Sequence, residues 1–263
     1  MGILSASGGS VMPGPQRVYC EFRQDPVHSG RLGTAATGVA GDRNAMAFGG
    51  HGLVPGVVFS THVKGTQTIL APVTTVDGLD VGSQDQTADD GIEINLGINR
   101  ACPCGFLVGT DAFFVKAYDV VIADVSGTDD FAFGFRKAEA NQANVDDYDE
   151  MAVINVIAGA IKGETILNNA ATVTTDPGVA WADGAKKSLM VTCDVARRVR
   201  LYYSADVAFD ADLNFSPVAW TEINAGTAYS FDSGEIVVPF VFFLQDTDIA
   251  GVTTIRGFDS GLS

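Results

Sequence analysis

Few side chains in this sequence stand at spacings that invite chemistry. Cys102-Pro103-Cys104 brings two thiols within one residue of each other. A structural zinc site needs a second closely spaced Cys or His pair, and Cys20, Cys193, His28, His51 and His62 do not supply one. The two-residue gap of a dithiol redox motif is missing as well. The four cysteines therefore read as reduced or buried, which suits a cytosolic site of synthesis. No cofactor is implied.

Carboxylates offer two further readings. The run Asp146-Asp147-Tyr148-Asp149-Glu150 gathers four acids. A hard cation takes about six to eight oxygens, so Asp146, Asp147 and Asp149 are the weak calcium candidates, with Asp129 and Asp130 able to approach them if the strands between form a hairpin. EF-hand spacing is absent, and a polar stretch that includes Asn141 and Asn144 reads first as a solvated loop. Sugar hydrolases on β-sandwiches carry facing carboxylates, commonly as Glu-x-Asp-x-x-Glu on one strand, and this chain has no such strand. No catalytic residue is assigned, and the chain reads as a non-enzyme.

Glycine and aromatic residues complete the survey. Gly49-Gly50-His51-Gly52 runs into Leu53-Val54-Pro55, where proline forces extended geometry in place of the helix a phosphate loop requires. Sugar faces stack on exposed rings, which draws attention to Trp181, Trp220, Tyr202, Tyr203 and Tyr229. Trp181, between Pro177-Gly178 and Asp183-Gly184, is expected to plug one end of the fold, so Trp220 is the ring assigned to recognition. Arg197-Arg198, with Arg200, reads as a hairpin tip.

Composition narrows the partners. The chain has 263 residues, 46% hydrophobic and 18% charged, which excludes wholesale disorder. Sixteen basic against 32 acidic residues give a formal charge of -16. That charge repels a phosphate backbone, so neither nucleic acid nor an anionic membrane is an expected partner. The most apolar run, Ile236 to Leu244, is interrupted by Pro239 and falls short of the ~20 residues that span a bilayer. The opening, MGILSASGGSVMPGPQ, lacks a basic stretch followed by an apolar one, so no targeting segment is expected.

These residues must be positioned by short β elements. Residues 1–50 are dominated by Gly, Ala, Ser and Pro, and Arg17 to Arg23 is their strand-like run. The segment reads as an extended arm, held only where something packs on it. From 51 to 263 the texture is short runs of Val, Ile, Phe, Tyr and Thr between turn dipeptides such as Asp77-Gly78, Asp90-Gly91, Pro177-Gly178 and Asp183-Gly184. Strands are expected at 56–63, 66–71, 91–98, 113–122, 131–137, 151–158, 188–194, 199–204, 236–244 and 253–259. In Phe131-Ala132-Phe133-Gly134-Phe135 the rings share one face, and Gly91 to Leu96 puts aliphatics inward and polar residues outward. Helical periodicity is confined to a turn or two at 165–171. The sum is an all-β, antiparallel jelly-roll sandwich with a Gly-rich N-terminal arm.

The second half has a recognisable layout. Gly134 to Glu139, Asp146 to Ala152, Ile161 to Asn169, Asp176 to Gly184, Leu189 to Val199, Tyr202-Tyr203-Ser204, Val238 to Leu244 and Gly257 to Leu262 follow one another as turns and strands. This succession resembles the concanavalin-like or laminin-G-like jelly roll of tailed-bacteriophage structural proteins. The resemblance implies a non-enzymatic virion component made in the host cytoplasm: a decoration or cement protein on the capsid surface. Its partners would be the major capsid protein and further copies of itself, as a trimer. Arg17, Tyr19 and Phe22 of the arm, with Trp220, are its expected contact residues. A tail or fibre part that binds host-surface carbohydrate is the alternative.

Overall fold

Phe131, Phe133 and Phe135 are fully buried on one face of their strand, Thr128–Lys137, and Ala132 and Gly134 take the other. Small residues are required there: a Cβ on Gly134 would lie 2.2 Å from the carbonyl oxygen of Ala152 on the adjacent strand. Each buried phenyl contributes about 1.5–3 kcal/mol of transfer free energy. This strand is central in a sheet that the alternation defines.

The structure is a computed structural model, and it describes residues 17–21, 43–48, 57–65, 73–75, 77–82, 88–95, 105–205, 207–209, 215–217, 219–226, 229–246 and 252–263. Across the first sheet the strand order is Val173–Ala180, Ala160–Ile166, Met151–Ile157, Thr128–Lys137, Ile236–Gln245, Gly91–Asn95, Val57–Lys64 and Arg43–Phe48. In the second it is Thr221–Glu222, Arg198–Ser204, Lys186–Cys193, Phe113–Ile122, Thr253–Ile255, Gly78–Asp80 and Val73–Thr75. Gly257–Leu262 also pairs with Phe113–Ile122 and carries Arg17–Glu21 on its far side. Neighbouring strands within both sheets run antiparallel, for example Met151–Ile157 against Ala160–Ile166. A single apolar core, from Leu79 and Ile92 through Trp181 to Phe258, fills the space between the sheets. The fold is the antiparallel jelly-roll sandwich expected from the alternation.

Several local expectations are corrected. Residues 165–171 hold no helical turn: Ile166 ends a strand, and Asn168 and Asn169 turn the chain at φ 53° each. Pro177-Gly178 is not a hairpin but part of the edge strand Val173–Ala180, where a proline costs no ladder bond, next to a register shift between Ile161 and Gly163. The last expected strand is two, Thr253–Ile255 and Gly257–Leu262, divided at Arg256. The expected strand at 66–71 lies outside the described residues. Two strands arise within the first fifty residues: Arg17–Glu21 is in register with Gly257–Gly261, and Arg43–Phe48 pairs with Val57–His62.

The central strands of the first sheet are covered on both faces. Its outer face carries a second apolar cluster of Ala132, Met151, Val153, Ile166, Phe240, Phe242 and Leu244, capped by Val145 and Tyr148 from the loop 138–150. A three-residue 3-10 turn, Val145–Asp147, points Val145 into that cluster. The acidic run read as a solvated loop is therefore a plug: Val145, Tyr148 and Glu150 are buried, and Asp146 and Asp147 are exposed.

Candidate functional site

Two polar arrangements occupy the outer face of the first sheet. One is sealed beneath the loop. Gly91–Asn95 alternates as expected, with Ile92 and Ile94 in the core and Glu93 and Asn95 outward, yet Glu93 is 0% exposed. Arg136 Nε donates to Glu93 Oε1 at 2.8 Å, Lys64 Nζ lies 2.9 Å from Oε2, and the Tyr148 hydroxyl donates to the same oxygen. Arg136 is held between two rings, 4.7 Å from the centroid of Tyr148 and 5.8 Å from that of Phe240. Burial alone would raise the Glu93 pKa. The Arg136 and Lys64 charges, with bonds from Tyr148 and Lys64, outweigh it and bring the group to about 2. Burial, then the Glu93 charge, pushes the Tyr148 phenol well above its ordinary value. Lys64 and Arg136 also reach the loop, donating to Gln142 O and Asn141 Oδ1. This network positions the loop; a carboxylate held ionised and a phenol held protonated have no proton to exchange.

The other arrangement lies beside the loop tip and opens to water. Asp130, Asn155, Glu164 and Thr174 come from four successive strands, and the Asn155 Nδ2 donates both to Asp130 Oδ1 and to Glu164 Oε2. Thr174 Oγ1 donates to Glu164 Oε1 at 3.1 Å. Asn155 is 0% and Glu164 5% exposed, whereas Asp130 is half-buried and Asp129, Asp146 and Thr174 are exposed. Burial raises Asp130 to about 7; the Asn155 bond opposes this, and the Asp129, Glu164 and Asp146 charges add to it. Burial also raises Glu164, and raises Asp129 together with Asp246, Asp89 and Asp146. Lys162, whose charge acts on Glu164 in the opposite direction, is bonded to Asp176 at 3.2 Å. Perturbed carboxylates converging from several segments mark a candidate site.

The row does not have the form of a hydrolase centre. Asp130 and Glu164 flank an amide nitrogen that both of them accept from, and that nitrogen occupies the space a scissile oxygen would need. Nor do the weak calcium candidates converge. Asp146 accepts from Thr172, Asp147 from Asn144, and Asp149 pairs with Lys137 at 2.7 Å. Among the described residues no three His, Cys, Asp or Glu side chains form a group that could hold a metal ion. The hairpin of Thr128–Lys137 with Met151–Ile157 sets Arg136 opposite Met151 and Phe131 opposite Val156, so Asp129 and Asp130 stand at the end away from the acidic run.

Other residues singled out by sequence are scattered. Trp181 is 1% exposed in the main core, its Nε1 donating to Ala185 O at 2.9 Å. Trp220 is half-buried just before Thr221–Glu222, on the other sheet from the acidic row. Tyr229 is buried, and Tyr202 and Tyr203 are half-buried. The Arg197–Arg198 tip exists: Arg197 stands at φ 69° and donates to Phe231 O, and Arg200 pairs with Glu222 at 3.3 Å. Arg17 and Tyr19 are placed by backbone register alone, opposite Gly261 and Asp259. Phe22, His28, His51, Cys102 and Cys104 lie outside the described residues. Sequence reasoning passed over Glu93, Arg136, Asn155 and Glu164. The signal for Asn155 was a polar residue interrupting the apolar run of 151–157, whereas Glu164, set among Lys162, Gly163 and Thr165, offered none.

No protein-family model matches the chain, and no curated protein matches it. Solved structures match by shape. A structure described as lectin UEA-II complexed with galactose aligns at TM-score 0.50 and 11% identity, over 77% of this chain and 92% of that one. The potassium-bound form of the Emp46p carbohydrate recognition domain aligns at TM-score 0.50 and 7% identity, over 77% and 87%. A protein of unknown function, SO2946 from Shewanella oneidensis MR-1, aligns at TM-score 0.47 and 11% identity, over 99% and 95%. At such identities the likeness is one of fold: this chain shares an antiparallel jelly-roll β-sandwich with those two structures. The descriptions of the two structures at TM-score 0.50 name neither a virus nor a capsid, so the virion expectation gains no support from them.

Proposed function

We propose that the chain is a non-enzymatic binding protein whose first sheet presents a polar row to a polyhydroxylated ligand, a carbohydrate. The observation that carries this reading is the Asp130–Asn155–Glu164–Thr174 row, four polar side chains from successive strands on the solvent side of a sandwich. Carboxylate, amide and hydroxyl groups fixed on strands are the donors and acceptors that sugar hydroxyls require. The lectin-type fold supports the reading, since both solved structures that align at TM-score 0.50 carry carbohydrate in their descriptions. Binding of the whole chain to arrayed glycans, repeated with Asp130→Ala and Thr174→Val, tests it. Retention of at least one glycan class that both variants weaken is the expected result. No glycan bound, or binding that neither variant alters, overturns it.

Within that function we place the protein on a phage particle, as a tail or fibre part, which joins the sequence layout to the carbohydrate reading. The capsid-decoration form requires the leader to lie on a neighbouring subunit. Backbone pairing of Arg17–Glu21 with Gly257–Gly261 of the same chain takes that strand out of such a contact. Deleting residues 1–16 separates the two: decoration predicts loss from purified particles with an intact fold, and a fibre part predicts unchanged attachment to them. Copy number on particles reads the same question, hundreds for a lattice protein and tens for a fibre.

A further inference from the structure

The pairing that ties Arg17–Glu21 to Gly257–Gly261 uses one edge of that strand, and among the described residues no strand takes the other. An open edge is a template for further pairing, and folds guard theirs with proline, register breaks or very short strands. Most ends of the two sheets are guarded in this way. Val173–Ala180 carries Pro177 beside a register shift on its partner, Thr221–Glu222 and Tyr229–Ser230 have two residues each, and Val73–Thr75 has three. Arg17–Glu21 and Arg43–Phe48, free of glycine and proline, are open.

Of these two, Arg17–Glu21 is complementary to itself. Laid antiparallel on a second copy about Tyr19, the sequence RVYCE sets Arg17 against Glu21 twice, Val18 against Cys20 twice, and Tyr19 against its counterpart. Directly opposed unlike charges and aromatic rings stabilise a strand pair, whereas like charges oppose it. The same operation on RNAMAF sets Arg43 against Phe48 and matches no charge. The open stretch is also bounded. Leu79 and Asp80 lie opposite Ile255 and Thr254, on the line that Arg17–Glu21 follows, and their hairpin with Val73–Thr75 takes the edge beyond Glu21. Five residues remain, the length over which the register is complementary. We propose that Arg17–Glu21 is a homodimer interface, pairing antiparallel with the same strand of a second copy across a two-fold axis at Tyr19. Such an isologous contact closes at two copies. The dimer needs no ligand and joins second sheets, so it stands apart from the carbohydrate reading of the first.

Sedimentation velocity of the full chain over a wide concentration range tests it, in about 0.15 M salt to screen the charge of -16 on each copy. A concentration-dependent dimer is expected. Arg17→Glu and Glu21→Arg, each of which opposes like charges, should weaken it about tenfold or more, and the double variant should restore it. Glu21→Arg reduces the net negative charge, so its weakening is a result that general repulsion between copies cannot give. Directly opposed Cα atoms stand about 4.5–5.5 Å apart, within disulfide reach, so Tyr19→Cys with Cys20→Ser should oxidise to a covalent dimer. Unfolding midpoints check that each variant is folded, and where a charge reversal does not fold, the disulfide decides: a covalent dimer upholds the interface and its absence overturns it. A chain monomeric throughout, a trimer, or a dimer that neither reversal weakens or the double variant does not restore overturns it as well.

Discussion

Glu93 and Arg136 meet at 2.8 Å with side chains 0% and 2% exposed, on the outer face of a sheet where the sequence pattern expects solvent. Two cations and a phenol converge on this one carboxylate, and the loop 138–150 closes over them. The pair joins two strands that are not neighbours, since Ile236–Gln245 runs between them. Its consequence is a loop fixed to the sheet by charge as well as by Val145 and Tyr148.

Removing the anion leaves Lys64 and Arg136 buried without their common partner. Breaking a buried pair in this way costs about 3–5 kcal/mol. Glu93→Ala should lower the urea midpoint accordingly and make 138–150 the first segment cut by protease. A loss below about 1 kcal/mol would mean that Tyr148 and Val145 hold the loop unaided.

Stability should respond to acid and to base through different carboxylates. Glu93 falls from an ordinary 4.5 to about 2 on folding, so its contribution is present above pH 4.5 and is lost as pH falls toward 2. Asp130 rises from 3.8 to about 7, so the folded chain holds the extra proton and stability declines as pH rises from about 4 to 7. Denaturation midpoints across pH 2 to 8 should show both limbs, and Asp130→Asn should flatten the upper one alone.

Trp181 closes the core where strand Val173–Ala180 turns toward Lys186–Cys193, with Lys187 Nζ 5.8 Å above its ring. Its replacement by Ala removes a fully buried indole and strands the Ala185 carbonyl that it bonds. The expected loss is about 3–5 kcal/mol, read by thermal or chemical unfolding. Trp220→Ala, at a half-buried position, should cost less than half as much.

Cys193 is a free, buried thiol whose pKa burial, and then the Asp194 charge, push up to about 12. Thiolate is the reactive form, so peptide mapping after iodoacetamide at pH 8 should find Cys193 unmodified in the native chain and alkylated in urea. Native labelling would place that end of Lys186–Cys193 in an opening equilibrium.

Period-two alternation was legible from end to end because each strand reports its own faces: Phe131, Phe133 and Phe135 point inward as their spacing requires, and Phe113–Ile122 has the expected bounds. Strands that break the pattern were not. Val173–Ala180 carries Pro177-Gly178 and lies at a sheet edge, and Ala160–Ile166 contains Gly163, where a Cβ would sit 2.7 Å from Leu201. An edge position tolerates turn-forming residues, and close sheet packing demands a glycine; neither fact is local to the strand.

What the chain alone determined is its class: alternation and turn dipeptides specify antiparallel layers, because they act between residues a few positions apart. Which acids are hidden and which are exposed was decided by tertiary structure. Asp146 and Tyr148 are two residues apart, yet one faces water and accepts from Thr172 and the other is buried against Glu93, 55 residues away. Burial and charge pairing depend on what lies across the sheet, and that distance is set only when the loop closes on strands remote in sequence.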